Sequence, residues 1–396
     1  MPRKILISAG ESSGDLAASG LVQALKRVWP DADFFGCAGP QMRAEGVRDV
    51  IRMESLNVVG LVEVLQHIPR IYGEFRKLRD TIQTEKPELA ILVDSPDFNL
   101  RLLPRLRKAG VPVVYFIAPQ AWAWRKGRVK ILREMVDHLL CIIPFEEEFF
   151  RSNGVTATYI GHPLPGRLTL RQTRDQFRAR FGITDPTTPL IALLPGSRTG
   201  EARRHLDALA GCVEMIQSNR KAVFVAGTPP GFSARSVAAN FWERFPAGSI
   251  QVVEGEAWDL LNAADLALAA SGTVTVEAAL LGCPMVTFYK VTGLSWLMGK
   301  LLVRIPYYSM VNLVAGKLAV PEVMQQNLNA RNLAQEAMRL LDDPRACAEM
   351  KLELARVTAK LSTGTDPMVK AVEIIEGLMK KEVSAHAASS SPVAVR

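Results

Sequence analysis

The sequence predicts an α/β protein with two similar doubly wound halves, each containing a parallel sheet covered by helices on both faces. Short, almost wholly apolar runs alternate with helical patterns along the chain, as buried strands of parallel sheets do. This series is interrupted once, at 163–189, by a stretch rich in Arg, Pro and Thr. The chain has 396 residues, which is too long for one ordinary domain.

The predicted strands form two series, one on each side of this interruption. The first comprises 4–9, 33–37, 89–93, 111–117, 139–143 and, as a further candidate, 156–160. The second comprises 190–194, 222–226, 250–253, 266–269 and 284–288.

The predicted domains are an N-terminal Rossmann-like domain at 1–165 and a second Rossmann-like domain at 166–345. C-terminal helices follow at 346–382 and either pack back or are exchanged in a dimer, and a Ser/Ala-rich tail at 383–396 is predicted to be disordered. Because ligands of doubly wound sheets bind outside the carboxyl ends of the strands, we expect the active site in a cleft where the two halves face each other.

Composition narrows the class of partner. The formal net charge of +8 favours a nucleotide, a phosphorylated substrate or an anionic membrane surface, and its even spread along the chain does not indicate nucleic acid. The five cysteines contain no CxxC pair and predict free thiols in a reducing cytoplasm. There is no secretory signal and no uncharged apolar run of about 18 residues, so we expect a soluble or peripherally attached protein.

Two segments are amphipathic or strongly apolar. Residues 61–82 carry an apolar stripe at helical spacing with a basic opposite face, and 294–305 are rich in Leu. Each segment is either ordinary core or a surface for an anionic membrane or an acyl chain.

The second half carries two glycine-containing corners directly after apolar runs. Ser271-Gly272-Thr273 opens a helix whose free N–H groups suit an anion, and Glu277 lies one turn further on the same face as Thr273. A diphosphate followed by a ribose diol fits these groups. Gly196-Ser197-Arg198 follows an earlier strand, where Arg198 either neutralises a diphosphate or is a plain surface cation.

In the first half, polar residues also follow predicted strands. The turn Gly10-Glu11-Ser12-Ser13-Gly14 matches a nucleophile elbow by letter only, and either contacts a ligand or caps a helix. Asp94 and Asp97 end a buried strand, where a carboxylate takes a proton from a hydroxyl or simply caps a turn.

The remaining candidates of the first half follow later strands. The loop containing Gln120, Trp122, Trp124 and Arg125 combines indoles that suit a sugar with cations that suit a phosphate, although packing explains it too. His162 is either a hinge residue or a ligand contact. No metal-binding motif occurs, so no metal or other cofactor is expected.

Together these motifs resemble those of the lipid-A-disaccharide synthase family from about residue 4 to residue 379. The stretches that carry the resemblance, in chain order, are Ala9-Gly-Glu-Ser-Ser-Gly-Asp15, Ala38-Gly-Pro-Gln-Met42, Asp94-Ser-Pro-Asp-Phe-Asn99, Pro119-Gln-Ala-Trp-Ala-Trp-Arg125, Ile160-Gly-His162, Leu194-Pro-Gly-Ser-Arg198, Ser271-Gly-Thr-Val-Thr-Val-Glu277, Met310-Val-Asn-Leu313 and Val320-Pro-Glu-Val-Met-Gln325.

The resemblance implies a metal-independent, inverting GT-B glycosyltransferase. It would join UDP-2,3-diacylglucosamine to 2,3-diacylglucosamine 1-phosphate through a β-1,6 linkage and release UDP. It also implies a cytoplasmic, membrane-associated homodimer with exchanged C-terminal segments.

The resemblance assigns roles residue by residue. Asp94 is the first choice for the general base, with Glu11 and Asp97 left open, and Arg198 is the essential arginine near the diphosphate. The implied UDP site comprises Gly196, Ser197, Arg198, Ser271, Gly272, Thr273, Glu277, Asn312 and Gln325. The implied acceptor site comprises Ser12, Ser13, Asp97, Asn99, Gln120, Trp122, Trp124, Arg125 and His162. The alternatives are a UDP-N-acetylglucosamine 2-epimerase-like enzyme, a non-catalytic UDP-sugar sensor and a Ser12 hydrolase.

Overall fold

Two parallel sheets with helices on their faces form the chain, one sheet in each half. The computed structural model describes residues 2–56, 61–232, 241–293, 296, 299, 303 and 305–389, without the side chains of 61–71 and 382–389. Most of the predicted apolar segment 294–305 and the last residues of the predicted tail, 390–396, lie outside the described residues. The predicted α/β fold with parallel sheets is confirmed.

The first sheet has seven parallel strands in the order β3-β2-β1-β4-β5-β6-β7. Its central strands are buried throughout because helices cover both faces. The strands are β1 (Lys4–Ala9), β2 (Asp33–Ala38), β3 (Arg48–Arg52), β4 (Leu89–Val93), β5 (Val113–Phe116), β6 (His138–Cys141) and β7 (Ala157–Tyr159). The helices between them are α1 (Ser12–Val28), α2 (Pro40–Ala44), α3 (Leu61–Glu85), α4 (Pro96–Asn99), α5 (Leu103–Lys108), α6 (Gly127–Met135) and α7 (Pro144–Ser152).

The second sheet has six parallel strands in the order β10-β9-β8-β11-β12-β13. The strands are β8 (Leu190–Leu194), β9 (Val223–Thr228), β10 (Ile250–Glu254), β11 (Leu266–Ala270), β12 (Met285–Tyr289) and β13 (Glu322–Met324). The described helices of this half are α8 (Arg174–Arg180), α9 (Thr199–Gln217), α10 (Ala257–Ala263), α11 (Thr273–Leu280), α12 (Met310–Ala315), α13 (Ala330–Asp342) and α14 (Pro344–Leu361).

Both sheets reverse their strand order next to their first strand. In the first sheet the reversal lies between β1 and β4, and in the second it lies between β8 and β11. Doubly wound sheets bind their ligands at this point, outside the carboxyl ends of the strands. The loops after these four strands are therefore the places to look for a site.

The chain divides into two compact units, and near the C-terminus it passes from the second unit back into the first. The first unit comprises Met1–Gly166 together with Leu361–Arg396, and the second comprises Arg167–Lys360. The last helix, α15 (Pro367–Ser389), packs against α1, and its Ala371 and Ile375 lie in the core of the first unit. Helix α14 instead falls within the second unit, so the predicted C-terminal segment 346–382 is split between the two.

The end of α15 differs from the predicted tail. The helix continues to Ser389, past the predicted start of disorder at residue 383. The run from Ala385 to Ala388 explains the difference, because Ala has the strongest helix propensity.

Two edge strands, β3 and β13, were not predicted from the sequence. β3 has an exposed Arg at each end, and β13 is three residues long, so neither contains the apolar run that identified the central strands. In the described part of the 61–82 stripe, Leu78 and Ile82 lie in the core of the first unit, whereas Tyr72 is exposed.

Candidate functional site

The loop after β4 has an unusual backbone conformation. Asp94 and Ser95 both have left-handed backbone conformations, with φ of 46° and 44°. Such a conformation costs roughly 1–3 kcal/mol for a residue other than Gly, and it persists only where the surroundings enforce it. The Asp94 side chain is half-buried at the carboxyl end of β4, beside the end of β1.

Asn99, a predicted acceptor contact, is fully buried below this loop. Its Oδ1 accepts a hydrogen bond from Ser8 Oγ at 2.7 Å. Its Nδ2 donates to the carbonyl oxygens of Ser8, Val93 and Asp94 at 2.9–3.2 Å. Both polar atoms of the amide are therefore used within the protein, which favours a positioning role.

The corner between β1 and α1 presents an exposed helix start. Glu11 is the N-cap residue of α1, and Ser12 and Ser13 form its exposed first turn. The buried Asp15 turns away from the corner and accepts three backbone N–H groups, those of Gly39, Gln41 and Met42. We therefore place Glu11, Ser12 and Ser13 at the open edge and Asp15 in a structural role.

Asp97 lies in an ion cluster. One of its oxygens accepts hydrogen bonds from Arg125 at 2.5 Å and from Arg128 at 2.6 Å. Both guanidinium groups lie over the Trp124 ring, at 4.4 and 5.0 Å from its centroid. Since its carboxylate is already paired with two cations, Asp97 is a poorer candidate for a base than Asp94.

Trp122 is held by a carboxyl group that the sequence analysis did not identify. Its indole Nε1 donates to Glu146 Oε1 at 3.1 Å, and its ring packs edge-on against Phe145. Glu146 is buried, and this burial raises the pKa of its carboxyl to about 8. Gln120, in the same loop, is exposed.

His162 is buried, and its ring is neutral. The ring Nδ1 accepts the backbone N–H of Leu164 at 3.2 Å, and the backbone N–H of His162 donates to the carbonyl of Leu361 at 2.8 Å. Burial lowers the pKa of its imidazole to about 4. These contacts favour a structural role for His162 where the returning chain meets the first unit.

In the second unit, the corner between β8 and α9 carries Gly196, Ser197 and Arg198. Gly196 has φ of 120°, and a Cβ there would lie 2.9 Å from the carboxyl carbon of Glu201. Ser197 and Arg198 are exposed, and Arg198 is the N-cap residue of the 19-residue helix α9. The corner therefore places a cation at the positive end of a helix dipole.

Two residues that were not among the predicted site residues support this corner. Buried His205 accepts the N–H of Lys290 at 3.0 Å on Nε2, and its Nδ1 donates to the Pro195 carbonyl at 2.8 Å. Burial lowers the pKa of His205 to about 4, so the ring is neutral. Glu201 shares a hydrogen bond with Tyr289, and burial raises the pKa of the Glu201 carboxyl.

The corner between β11 and α11 lies at the neighbouring strand end, since β8 and β11 pair directly. Gly272 and Thr273 are exposed at the helix start, and Ser271 Oγ donates to the carbonyl of Tyr308 at 2.9 Å. Glu277 is half-buried and hydrogen-bonded to Trp258, and burial raises the pKa of its carboxyl to about 6. At neutral pH the carboxyl is therefore mostly ionised and can accept hydrogen bonds from hydroxyl groups.

Asn312 and Gln325, which the resemblance assigns to the UDP site, are both buried. Asn312 is fully buried, and its amide bonds the backbone of Ala319 and Val320 and the carboxylate of Glu322. Gln325 is also buried and has φ of 55°. Their predicted place in the UDP site is untested, and the contacts of Asn312 favour shaping the loop rather than touching a ligand.

Most of the supporting residues left no signal in the sequence. His205 lies within a helical run that indicates core, and so does Tyr115, whose hydroxyl donates to the carbonyl of Asp94 from an apolar run. Glu201 could have been found, because it lies three residues after Arg198 at a helix start. Among the described residues, no group of three or more His, Cys, Asp or Glu side chains could hold a metal ion.

Solved structures with the same fold define a broad class. The S. aureus MnaA–UDP co-structure matches with a TM-score of 0.66 and 14% identity, covering 96% of this chain and 97% of that one. UDP-GlcNAc 2-epimerase from Neisseria meningitidis, bound to UDP-GlcNAc, matches with a TM-score of 0.64 and 12% identity, covering 96% and 100%. The kitacinnamycin glycosyltransferase matches with a TM-score of 0.64 and 15% identity, covering 96% and 100%. At these identities the likeness shows the fold alone, that of GT-B glycosyltransferases and related epimerases.

Sequence comparison narrows the class to one family. The family model for lipid-A-disaccharide synthetase matches residues 5–371. Lipid-A-disaccharide synthase of Solibacter usitatus (strain Ellin6076) is 54% identical over 381 residues, covering 96% of this chain and 99% of that one. The enzyme of Myxococcus xanthus (strain DK1622) is 37% identical over 381 residues, covering 96% and 98%. The chain belongs to the lipid-A-disaccharide synthase family of glycosyltransferases, which confirms the predicted resemblance and disfavours the epimerase and sensor alternatives.

Proposed function

We propose that the protein joins UDP-2,3-diacylglucosamine to 2,3-diacylglucosamine 1-phosphate through a β-1,6 linkage and releases UDP. The observation that carries the proposal is 54% identity to a lipid-A-disaccharide synthase over nearly the full length of both chains. The exposed corners after β8 and β11 support it, because a cation, two neighbouring helix starts and a carboxylate are the groups that a nucleoside diphosphate requires.

The proposed mechanism is a single displacement. Asp94 removes the proton from the acceptor 6-hydroxyl, and the freed oxygen attacks the anomeric carbon on the face opposite UDP. Arg198 and the N–H groups at the starts of α9 and α11 stabilise the negative charge that develops on the leaving diphosphate. Glu277 accepts hydrogen bonds from the ribose hydroxyl groups.

The proposal is tested by incubating the protein with both lipid substrates and measuring UDP release. We expect release that depends on the acceptor and a product in which the two sugars are joined. Asp94→Asn and Arg198→Ala should each lower kcat by ~10²-fold or more, the usual effect of losing an acid–base group or a charge-stabilising donor. Release of UDP without acceptor, or near wild-type turnover in both variants, contradicts the proposal.

Peripheral attachment to an anionic membrane is the second part of the proposal. Helices α5 and α6 contact each other, and their exposed Lys108, Lys126 and Arg133 have no acidic partner among the described residues. Cations near a surface contribute roughly 1 kcal/mol each to binding anionic lipid. No helix in the described part of the chain is long and apolar enough to span a bilayer.

Vesicle flotation tests this attachment. Lys126→Ala combined with Arg133→Ala should weaken binding to anionic vesicles, whereas the control pair Arg345→Ala and Lys351→Ala on α14 should not. Equal losses in both pairs would indicate a general charge effect and contradict the assignment to this surface.

The homodimer remains a prediction. The apolar face of α15 is covered by α1 of the same chain, so the structure gives no reason for an exchange of this helix. Light scattering of the purified protein decides the matter, since a monomer mass at all concentrations overturns the prediction.

A further inference from the structure

The left-handed backbone conformation at Asp94 is not explained by a role in the reaction alone. Two consecutive residues other than Gly, Asp94 and Ser95, lie in the left-handed region. A chain adopts this conformation there only when its neighbours hold it. The hydrogen bonds around Asp94 identify those neighbours.

Both main-chain groups of Asp94 are fixed by hydrogen bonds. Its carbonyl oxygen accepts hydrogen bonds from the Tyr115 hydroxyl at 2.6 Å and from Asn99 Nδ2 at 2.9 Å. Its N–H donates to the carbonyl of Phe116 at 3.0 Å. The next residue is held as well, because Ser95 Oγ accepts the N–H of Gly10 at 3.1 Å.

The two side-chain donors are themselves immobile. Tyr115 is fully buried on β5, in register with Leu92 of the neighbouring strand β4. Asn99 is fully buried and is oriented by Ser8 of β1. The carbonyl of Asp94 is thus anchored to the two strands that flank β4.

We infer that Tyr115 and Asn99 are positioning residues, which hold the Asp94 carboxylate in its working geometry through the main-chain carbonyl. The inference rests on the proposed role of Asp94 as the base. Phe at position 115 would fill the same core space but leave the carbonyl with one donor fewer. The turn could then relax toward common backbone conformations and displace the carboxylate.

Steady-state kinetics of Tyr115→Phe test the inference. A displacement of about 1 Å near the reacting atoms can cost ~10²-fold in rate, so we expect kcat to fall by ~10-fold or more. KM for both substrates and the affinity for UDP should stay within about 2-fold, since the UDP corners lie in the other unit. Tyr159→Phe, in β7 of the same sheet, is the matched control and should leave kcat unchanged.

A double-mutant cycle separates positioning from general stability. In single-turnover assays, Tyr115→Phe should cost nothing further when added to Asp94→Asn, because its effect acts through that carboxylate. If the two losses multiply, or if Tyr115→Phe raises KM and lowers kcat together, the inference fails while the proposed function stands. If Asp94→Asn by itself keeps wild-type turnover, the proposed role of Asp94 as the base fails instead.

Ser8→Ala provides a second variant in case Tyr115→Phe folds poorly. It removes the hydroxyl that orients Asn99 and leaves Asp94, Tyr115 and Asn99 in place. We expect a smaller fall in kcat at constant KM. An unchanged kcat with a lowered Tm would show that the network only stabilises the fold, and would overturn the inference.

Discussion

At the residue scale, burial separates the groups that can meet a substrate from those that support them. Asp94 is half-buried, whereas Asn99 and Asn312 are fully buried with their amides bonded inside the protein. A buried amide whose polar atoms are already hydrogen-bonded has little capacity left to bind a ligand. Removing it leaves its buried partners without a hydrogen bond, which destabilises the protein. The motif residues around the corners therefore divide into contacting and positioning groups.

If Glu277 binds the ribose as proposed, UDP binding should depend on pH. Burial raises the pKa of its carboxyl to about 6, so this carboxylate becomes protonated as the pH falls through that value. We expect UDP affinity to weaken below pH about 6 more steeply in the wild type than in Glu277→Gln, measured by calorimetry from pH 5 to 8. The phosphate also titrates near pH ~6, which is why the comparison between the two proteins is needed. Parallel pH profiles would contradict the assignment.

The effect of Glu277 on stability has the opposite sign. Because the pKa of the folded state is raised, folding favours the protonated form of this carboxyl. Its stabilising contribution is present below the ordinary pKa and is lost as the pH rises through about 6. Between pH 4 and pH 8 the wild type should therefore lose stability relative to Glu277→Gln, which chemical unfolding of both proteins measures. A gain in relative stability over the same range would be inconsistent with the raised pKa.

Gly196→Ala should impair the UDP corner for two separable reasons. The new Cβ would lie 2.9 Å from the Glu201 carboxyl carbon, and φ of 120° is unfavourable for Ala. We expect UDP affinity to fall by ~10-fold or more, as 1.4 kcal/mol of strain would cause. Adding Glu201→Ala should restore only part of the affinity, since it relieves the contact and not the backbone strain. Full affinity in Gly196→Ala would contradict this description of the corner.

At the element scale, the second unit places two helix starts at neighbouring strand ends. Helices α9 and α11 begin directly after β8 and β11, which pair in the sheet. Each contributes the positive end of its dipole. The proposed site for two successive phosphates depends on the pairing of these two strands, because neither motif by itself supplies both helix starts.

In the first unit, Asp15 joins α1 to the loop between β2 and α2. Its buried carboxylate accepts the N–H groups of Gly39, Gln41 and Met42 at 2.8–3.1 Å. Asp15→Asn would turn an amide donor toward these donors, and we expect a loss of about 2 kcal/mol in the free energy of unfolding. Urea unfolding measures the loss, with the exposed Asp31→Asn as control. Equal stability of the two variants would show that the three bonds contribute little.

At the scale of the whole molecule, the C-terminal helix completes the first unit. Ile375 of α15 is fully buried together with Ala17 and Leu21 of α1. We expect Ile375→Ala to lower the free energy of unfolding by about 2–5 kcal/mol. Val369→Ala on the same helix removes an exposed side chain and should change it by less than about 0.5 kcal/mol. Similar effects of both variants, measured by denaturant titration, would mean that α15 does not cover the core in solution.

Much of this architecture follows from local sequence pattern. Apolar runs such as 4–9 and 190–194 identified the central strands, because a strand covered on both faces must be apolar throughout. The strands β3 and β13 were not predicted, because β3 has an exposed Arg at each end and β13 has only three residues. Helix α15 was found as a helix, but its spacing could not show which unit it would pack against.

By itself, the sequence determined the α/β class, the two halves, the family and the strand-end loops that carry the motifs. These features can be predicted because each depends on a continuous run of residues or on a short motif. Only the tertiary structure decided that Tyr115, Asn99 and Ser8 converge on the Asp94 turn, and that His205 and Glu201 support the corner at Gly196. The reason is that burial and hydrogen bonding depend on which distant strands become neighbours, and sequence spacing carries no record of that pairing.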